Sequence, residues 1–300
     1  MFTCAKIQQK VSAACLQKRG LAHGFQSPPG TSIDMKMKKV SKMGDNSKVE
    51  LAGRTYTSDN FGNLHQSLTP HAIEQLRGFY AKSIYFSGAF RSIDFFSNAS
   101  KELEAAISRE TKNSRSTLSY LHDFLGHGFE RKSGLDIGCG PGAFLCEMKR
   151  AGFDSAYGID VSAEAKAASD LLWGVGISKI CVASVEDLVR SPDSKKFDFV
   201  FLLDVLEHLE DDAGALNSLH CLLRPLGMLV IEVPIFETSS KQSLLRAPYL
   251  YPQHHLHLYS REGFVDMAKN QCWEVLFSAT TRQEKKAMYV LGSKYGKNSR

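Results

Sequence analysis

Leu135-Asp136-Ile137-Gly138-Cys139-Gly140-Pro141-Gly142-Ala143-Phe144-Leu145 is the stretch on which the fold turns. It opens on alternating apolar residues, passes three glycines within five positions, and continues with apolar residues at helical spacing. That order reads as a buried strand that ends in a sharp turn and opens directly into a helix. Glycine suits the turn because the chain must adopt left-handed backbone angles and come close to a ligand without a Cβ in the way. A helix that begins there also points the positive end of its dipole at any bound carboxylate or phosphate.

Outward from this stretch, short apolar runs alternate with helical segments. Strands are expected at residues 156–159, 180–183, 197–203 and 228–233, and helices at 143–151, 163–173 and 212–223. Residues 197–203 are almost continuously apolar, as in a strand buried on both faces. A regular strand–helix succession implies a parallel, doubly wound α/β sheet. Residues 235–258 are irregular and rich in aromatics and His, and a helix over 261–270 follows. The runs at 274–279 and 287–292 have no helix-length segment between them. They can pair only as a hairpin, so the last strand must run antiparallel to its neighbours.

The region before this domain reads differently. Residues 70–127 show apolar residues at three- and four-residue spacing, which predicts a helical cap over 61–132 ahead of a main domain at 133–300. Residues 1–60 are polar and weakly periodic, and are expected to be a disordered tail or a targeting segment. Residues 1–44 carry eight Lys/Arg against one acid, or +7, and the whole chain carries +5, which leaves the remainder at −2. The basic balance therefore belongs to the tail, and the body has little electrostatic reason to bind nucleic acid. The first 33 residues contain no acid. They read either as a presequence of mitochondrial type or as a basic extension of a cytoplasmic protein. The seven cysteines lie scattered at 4, 15, 139, 146, 181, 221 and 272 without a C-x-x-C pair, as expected for reduced thiols with no disulfide framework or zinc site. No apolar run is long enough for a membrane span.

The glycine loop alone leaves two cofactor classes open. Gly138-x-Gly140-x-x-Ala143 also satisfies the relaxed dinucleotide pattern, and Asp160, some twenty residues on, suits the ribose hydroxyls of either class. A nicotinamide-dependent oxidoreductase therefore stands as an alternative at this point.

Further segments narrow the choice. The chain from about 133 to 292 resembles the class I S-adenosylmethionine-dependent methyltransferases, in particular the ubiquinone-type and sugar- or lipid-modifying members. Residues 135–142 resemble that family's first motif, including an acid, Asp136, two positions before the first glycine. Residues 157–162 (Tyr-Gly-Ile-Asp-Val-Ser) are similar to its second strand. Residues 182–188 resemble the adenine-contacting turn, and 197–209 the fourth strand with its loop. Leu223-Arg224-Pro225-Leu226-Gly227 resembles the turn into the fifth strand. The departures are Ser184, where members often carry Asp, and Leu226, where the usual turn is Pro-Gly-Gly.

The resemblance implies a Rossmann-like seven-stranded sheet and S-adenosylmethionine as cofactor. Gly138, Cys139, Gly140 and Gly142 would pass under its methionine part, and Asp136 would orient the ammonium group. Asp160 and Val161 would flank the ribose, Ser184, Val185 and Glu186 the adenine, and Leu203 the transferring methyl. The acceptor is expected to be a small molecule methylated on oxygen, for which a base is useful. A hydroxyl stays protonated at neutral pH, and His is the natural candidate. His208, His255 and His257 are therefore the candidate catalytic residues, and no metal is expected. An RNA or protein methyltransferase of the same fold is the other alternative. Leu203-Asp204-Val205-Leu206 after strand four argues against it, because it lacks an Asn/Asp-Pro-Pro-Tyr-like motif. No residue pattern sets the acceptor's identity or the oligomeric state.

Overall fold

Strand Phe197–Leu203 lies at the centre of the molecule, and its side chains alternate between the two faces of the sheet. Val200 and Leu202 face one core together with Leu135, Ile137, Leu229, Ile231 and Leu291. Phe199 and Phe201 face the other with Phe144, Met148, Phe153 and Val230. Burial on both faces is the reason for the continuous apolar run. The computed structural model describes residues 47–51, 53–98, 100–174, 179–191, 195–236, 250, 254–281 and 285–295. The tail and presequence readings for residues 1–46 fall outside that set, as does the part of the irregular stretch at 237–249.

The described elements in chain order are β1 (Lys48–Leu51), β2 (Arg54–Ser58), β3 (Leu64–Gln66), α1 (Pro70–Ala81), β4 (Ile84–Phe86), β5 (Ala89–Arg91), α2 (Ile93–Ser97) and α3 (Lys101–Leu125). The main domain continues with β6 (Ser133–Ile137), α4 (Ala143–Arg150), β7 (Ser155–Asp160), α5 (Ala163–Trp173), β8 (Lys179–Val182), α6 (Val185–Arg190) and β9 (Phe197–Leu203). It closes with α7 (Asp212–Ser218), β10 (Leu223–Phe236), β11 (His257–Ser260), α8 (Arg261–Asn270), β12 (Trp273–Thr281) and β13 (Lys286–Ser293).

Seven strands lie in the order β8-β7-β6-β9-β10-β13-β12. Pairing is parallel from β8 to β10. The last strand, β13, is antiparallel to both β10 and β12, as the missing crossover helix requires. Helix α5 begins where Ser162 Oγ accepts the Ala165 N–H, and α8 where Ser260 Oγ accepts the Gly263 N–H.

The N-terminal region departs from the expected helical cap. Residues 48–58, placed in the polar tail by composition, form β1 and β2, and β3 joins them to β11 through Leu64 opposite Leu258. The sheet thereby reaches eleven strands. Val49, Leu51, Tyr56 and Leu64 are buried with Phe236, Leu250 and Leu258. Only four spaced apolar residues identify these short strands, and β11, which ties them to the main sheet through β3, lies nearly 200 positions away in the chain, so local periodicity is silent about them. A second hairpin, β4–β5, stands between α1 and α2.

The turn at 224–227 shows the effect of the missing glycine. Leu226 is held at φ 65° and is 92% exposed. Left-handed backbone costs a non-glycine residue about 1–2 kcal/mol, and glycine loses about 0.5–1 kcal/mol of entropy on folding. Leu226→Gly is expected to raise unfolding stability by about 0.5–1 kcal/mol, measured by urea denaturation; a destabilised variant would contradict the strain.

Candidate active site

The parallel strands β6, β7 and β9 end on one side of the sheet, and their C-terminal residues Ile137, Asp160 and Leu203 all line a cavity of about 910 Å³. Ligands in open α/β sheets bind at this edge. The loop after β6 is bound to the end of β7, where the Ile159 carbonyl accepts the N–H groups of both Gly138 and Cys139. Asp160 holds it a second time. One carboxylate oxygen accepts the Gly140 N–H at 2.8 Å and the other the Ser162 N–H at 2.8 Å. Gly138, Gly140 and Gly142 all take positive φ (70°, 49° and 81°). A Cβ on Gly138 would meet Val205 Cγ2 at 2.5 Å, so the turn after β9 seats directly on the loop.

Ten of the eleven expected cofactor residues border the cavity: Asp136, Gly138, Cys139, Gly140, Asp160, Val161, Ser184, Val185, Glu186 and Leu203. Gly142 does not, because it caps α4 in left-handed conformation one step behind the lining. Ser184 borders it, but its hydroxyl is engaged in a capping box. Its Oγ accepts the Asp187 N–H and donates to the Asp187 carboxylate at 2.9 Å. The side chain is thus occupied within its own helix cap. Asp136 is 3% exposed, and burial, reinforced by the Asp160 charge, pushes its pKa well up. A ligand cation beside it would stabilise the ionised form.

The other wall comes from the cap. Tyr80 on α1 and Tyr85, Phe86 and Phe90 of the β4–β5 hairpin border the cavity. The Tyr85 carbonyl comes so near Gly140 that a Cβ there would lie 3.3 Å from it. Arg77 on α1 donates to both carboxylate oxygens of Glu210, at 2.5 and 2.8 Å, and fastens the cap to the loop after β9. Spacing places Arg77, Tyr80, Tyr85, Phe86 and Phe90 in the cap expected over 61–132, without distinguishing a cavity wall from core.

The three candidate histidines have different surroundings. His208 borders the cavity. Burial pushes its pKa down to about 4, so the ring is neutral. Its Nδ1 lies 3.0 Å from the His254 carbonyl, which can only accept, so Nδ1 carries the proton and Nε2 the lone pair. Tyr80 Oη also donates to that carbonyl, at 3.0 Å. His255 and His257 do not border the cavity, which corrects the expectation that they meet the acceptor directly. Each is 6% exposed. His255 lies behind His208, with the rings edge-on at 4.7 Å, and burial and His208 hold its pKa well below the usual range.

His257 instead links β3 to β11. Its Nε2 donates to the Leu209 carbonyl at 2.6 Å, and its Nδ1 lies 2.7 Å from His65 Nδ1, while His65 Nε2 meets Asp59 at 2.8 Å. The consistent assignment gives His65 both protons. Burial opposes the charge on His65, but the hydrogen bond and charge of Asp59, with Asp212 nearby, outweigh it and raise the pKa. Burial likewise opposes the charge on Asp59. Hydrogen bonds from His65 and from the backbone N–H groups of Asn63 and Phe61 outweigh it and lower that pKa.

The acids of the polar wall escaped the sequence reading. Glu232 stands inside the apolar run of β10, 3% exposed, and borders the cavity with Asp204. Lys286 of β13 pairs with Asp204 and lies 3.9 Å from Glu232. The signal was one acid within residues 228–233.

Two outcomes follow. Gly138→Ala should lower both the melting temperature and ligand affinity, and Val205→Ala in the same chain should recover part of the loss because it removes the clashing methyl group; no recovery would show that backbone strain alone matters. For the His65–Asp59 pair, a raised histidine pKa contributes stability that is present below the unfolded value of about 6.5 and lost as pH rises through the folded value. Between pH 6 and 9 the wild type should therefore lose more unfolding free energy than Asp59→Asn, measured by urea denaturation at each pH.

The fold and the site can be compared with known proteins. The profile of the family described as "Methyltransferase domain" matches residues 109–276. A tRNA U34 carboxymethyltransferase of Idiomarina loihiensis is 34% identical over 110 residues, 34% of this chain and 33% of that protein. A ubiquinone biosynthesis O-methyltransferase of Alkalilimnicola ehrlichii is 35% identical over 118 residues, 38% of this chain and 45% of that protein. The chain thus spans between a third and a half of the length of these curated relatives. The magnesium protoporphyrin IX methyltransferase of Synechocystis, solved with S-adenosylmethionine bound, superposes with a TM-score of 0.50 at 15% identity, covering 76% of this chain and 99% of that one. The family profile covers more than half of the chain, including the whole glycine loop and the parallel strands β6, β7 and β9 that end at the cavity, and the chain belongs to the methyltransferase-domain family, with the fold of the class I S-adenosylmethionine-dependent enzymes.

Proposed function

We propose that the protein transfers the methyl group of S-adenosylmethionine to an oxygen of a small-molecule acceptor. The observation that carries this reading is one continuous cavity. It runs from the glycine loop and Asp160, past Leu203, to the aromatic wall of the cap. At about 910 Å³ it lies at the upper end of the range for ligand pockets, which suits a cofactor and an acceptor side by side.

The residues present fit the cofactor. Asp136 offers a buried carboxylate for an ammonium group, and Gly138 and Gly140 leave open backbone where a Cβ would intrude. Asp160 keeps lone pairs beyond its two backbone contacts for a ribose diol. The bound cofactor supplies an electrophilic methyl on its sulfonium, so the protein's task is positioning and the exclusion of water. The acceptor oxygen forms a bond to the methyl carbon as the sulfur–carbon bond breaks. The electron pair stays on sulfur, and the hydroxyl proton passes to the lone pair on His208 Nε2. Tyr80, Tyr85 and Phe90 would hold an acceptor with an apolar or aromatic body, and His208 would meet its oxygen.

The charge of the lining supports a small acceptor over a nucleic acid. Among the described residues, nine carboxylates and three arginines border the cavity, and Arg77 is already paired with Glu210. A polyanion gains little from such a surface.

Calorimetric titration tests the donor. S-adenosylmethionine and its demethylated product should bind, and Asp160→Ala should weaken both by at least tenfold, about 1.4 kcal/mol. Binding of NAD in place of the sulfonium would overturn the reading.

A further inference from the structure

Two clusters of potential metal ligands occur among the described residues: His65 with Asp212 and His257, and Glu207 with His208 and His255. In the first, the donor atoms already serve one another and their surroundings, through His65–Asp59, His257–Leu209 and Tyr259–Asp212. The second is built differently. Glu207 is 1% exposed, and among the described residues no other residue donates a hydrogen bond to either of its carboxylate oxygens. A buried carboxylate without donors is costly, and proteins retain one where something else compensates it.

We propose that Glu207, His208 and His255 form a binding site for one divalent first-row metal cation at the wall of the cavity. One donor atom from each lies within 4.8 Å of the other two, and His255 Nε2 stands 3.9 Å from Glu207 Oε1. Bonds of about 2.0–2.2 Å to nitrogen and oxygen put two ligands of one tetrahedral ion about 3.4 Å apart, so each donor atom would move by less than about 1 Å. His208 has the preparation usual for a ligand: its Nδ1 donates to the His254 carbonyl, which orients the ring and leaves Nε2 with its lone pair. Two imidazoles and a carboxylate favour zinc, manganese or iron(II) over magnesium or calcium.

The local charge points the same way. Glu207, Asp204 and Glu232 interact electrostatically, and Lys286 is the cation among them. A divalent ion held there would offset the mutual repulsion of these acids. Asp204 is held at φ 60°, a left-handed conformation unusual for a non-glycine residue, and such strain concentrates at binding sites. The site lies beside the acceptor end of the cavity. There, if the proposed methyl transfer is correct, the ion held by His208 would take the acceptor oxygen as a further ligand in place of direct contact with that imidazole, and lower its pKa.

The test needs neither cofactor nor acceptor, so its result stands apart from that of the donor titration. The full chain, stripped with chelator, is titrated with zinc by calorimetry and with cobalt(II) by visible absorption. One saturable site per chain is expected, weakened at least tenfold in Glu207→Gln and in His255→Ala, with the cobalt bands lost in both. Zinc should raise the melting temperature of the wild type and leave that of Glu207→Gln unchanged. Glutamine keeps the shape and removes the buried charge, so the metal-free variant should melt no lower than the metal-free wild type. Absence of a saturable site in the wild type overturns the proposal whether or not the variants fold. Retention in Glu207→Gln with loss in His257→Ala would assign the ion to the other cluster and overturn it equally.

Discussion

The carboxylate of Asp160 bridges two backbone segments that would otherwise be independent. It accepts the Gly140 N–H from the loop after β6 and the Ser162 N–H at the start of α5. The Ile159 carbonyl adds two bonds to the same loop. These four contacts hold three residues at positive φ in one shape. The loop is thereby preformed, with little left to order when a ligand arrives. The same carboxylate has spare lone pairs directed at the cavity edge, so one side chain serves structure and recognition together.

Everything else at the site is referenced to that loop. Val205 packs on Gly138 from the β9 side, and the Tyr85 carbonyl closes on Gly140 from the cap. Glycine suits both positions because they take positive φ and a side chain would crowd the neighbouring atoms. The cap is fastened at its far edge by the Arg77–Glu210 pair, between side chains 63% and 37% exposed. An ion pair so open to solvent contributes little stability, and its value lies in the orientation that two parallel hydrogen bonds impose on α1.

The polar wall beyond Leu203 is the costly part of the architecture. Glu232 and Asp204 border the cavity with Glu207 close behind them, and burial pushes the Glu207 carboxyl well up with Asp204 adding to the effect. An apolar replacement would pack more cheaply, so the cluster argues for chemistry at this wall. The neighbouring His65–His257 pair has the opposite character. Its donors and acceptors are matched, and it joins the N-terminal strands to β11.

The sequence by itself determined the parallel core, the glycine loop, Asp136 and Asp160, and the antiparallel last strand. Each depends on local order: period of apolar residues, glycines at fixed offsets, an acid at a strand end, and too few residues for a crossover helix. Residues 48–66 escaped it, since their strands are short and β11, which joins them to the main sheet through β3, lies nearly 200 residues away. The histidines at 255 and 257 were singled out by density, yet which ring faces a cavity depends on packing between β3, β11 and the loop after β9. Ser184 was recognised by position, but its capping bond to Asp187 decides what its hydroxyl does. Only the tertiary structure brought His255 to the adjacent pair Glu207 and His208, because contacts between distant segments are set by how sheets and caps pack and leave no trace in local spacing.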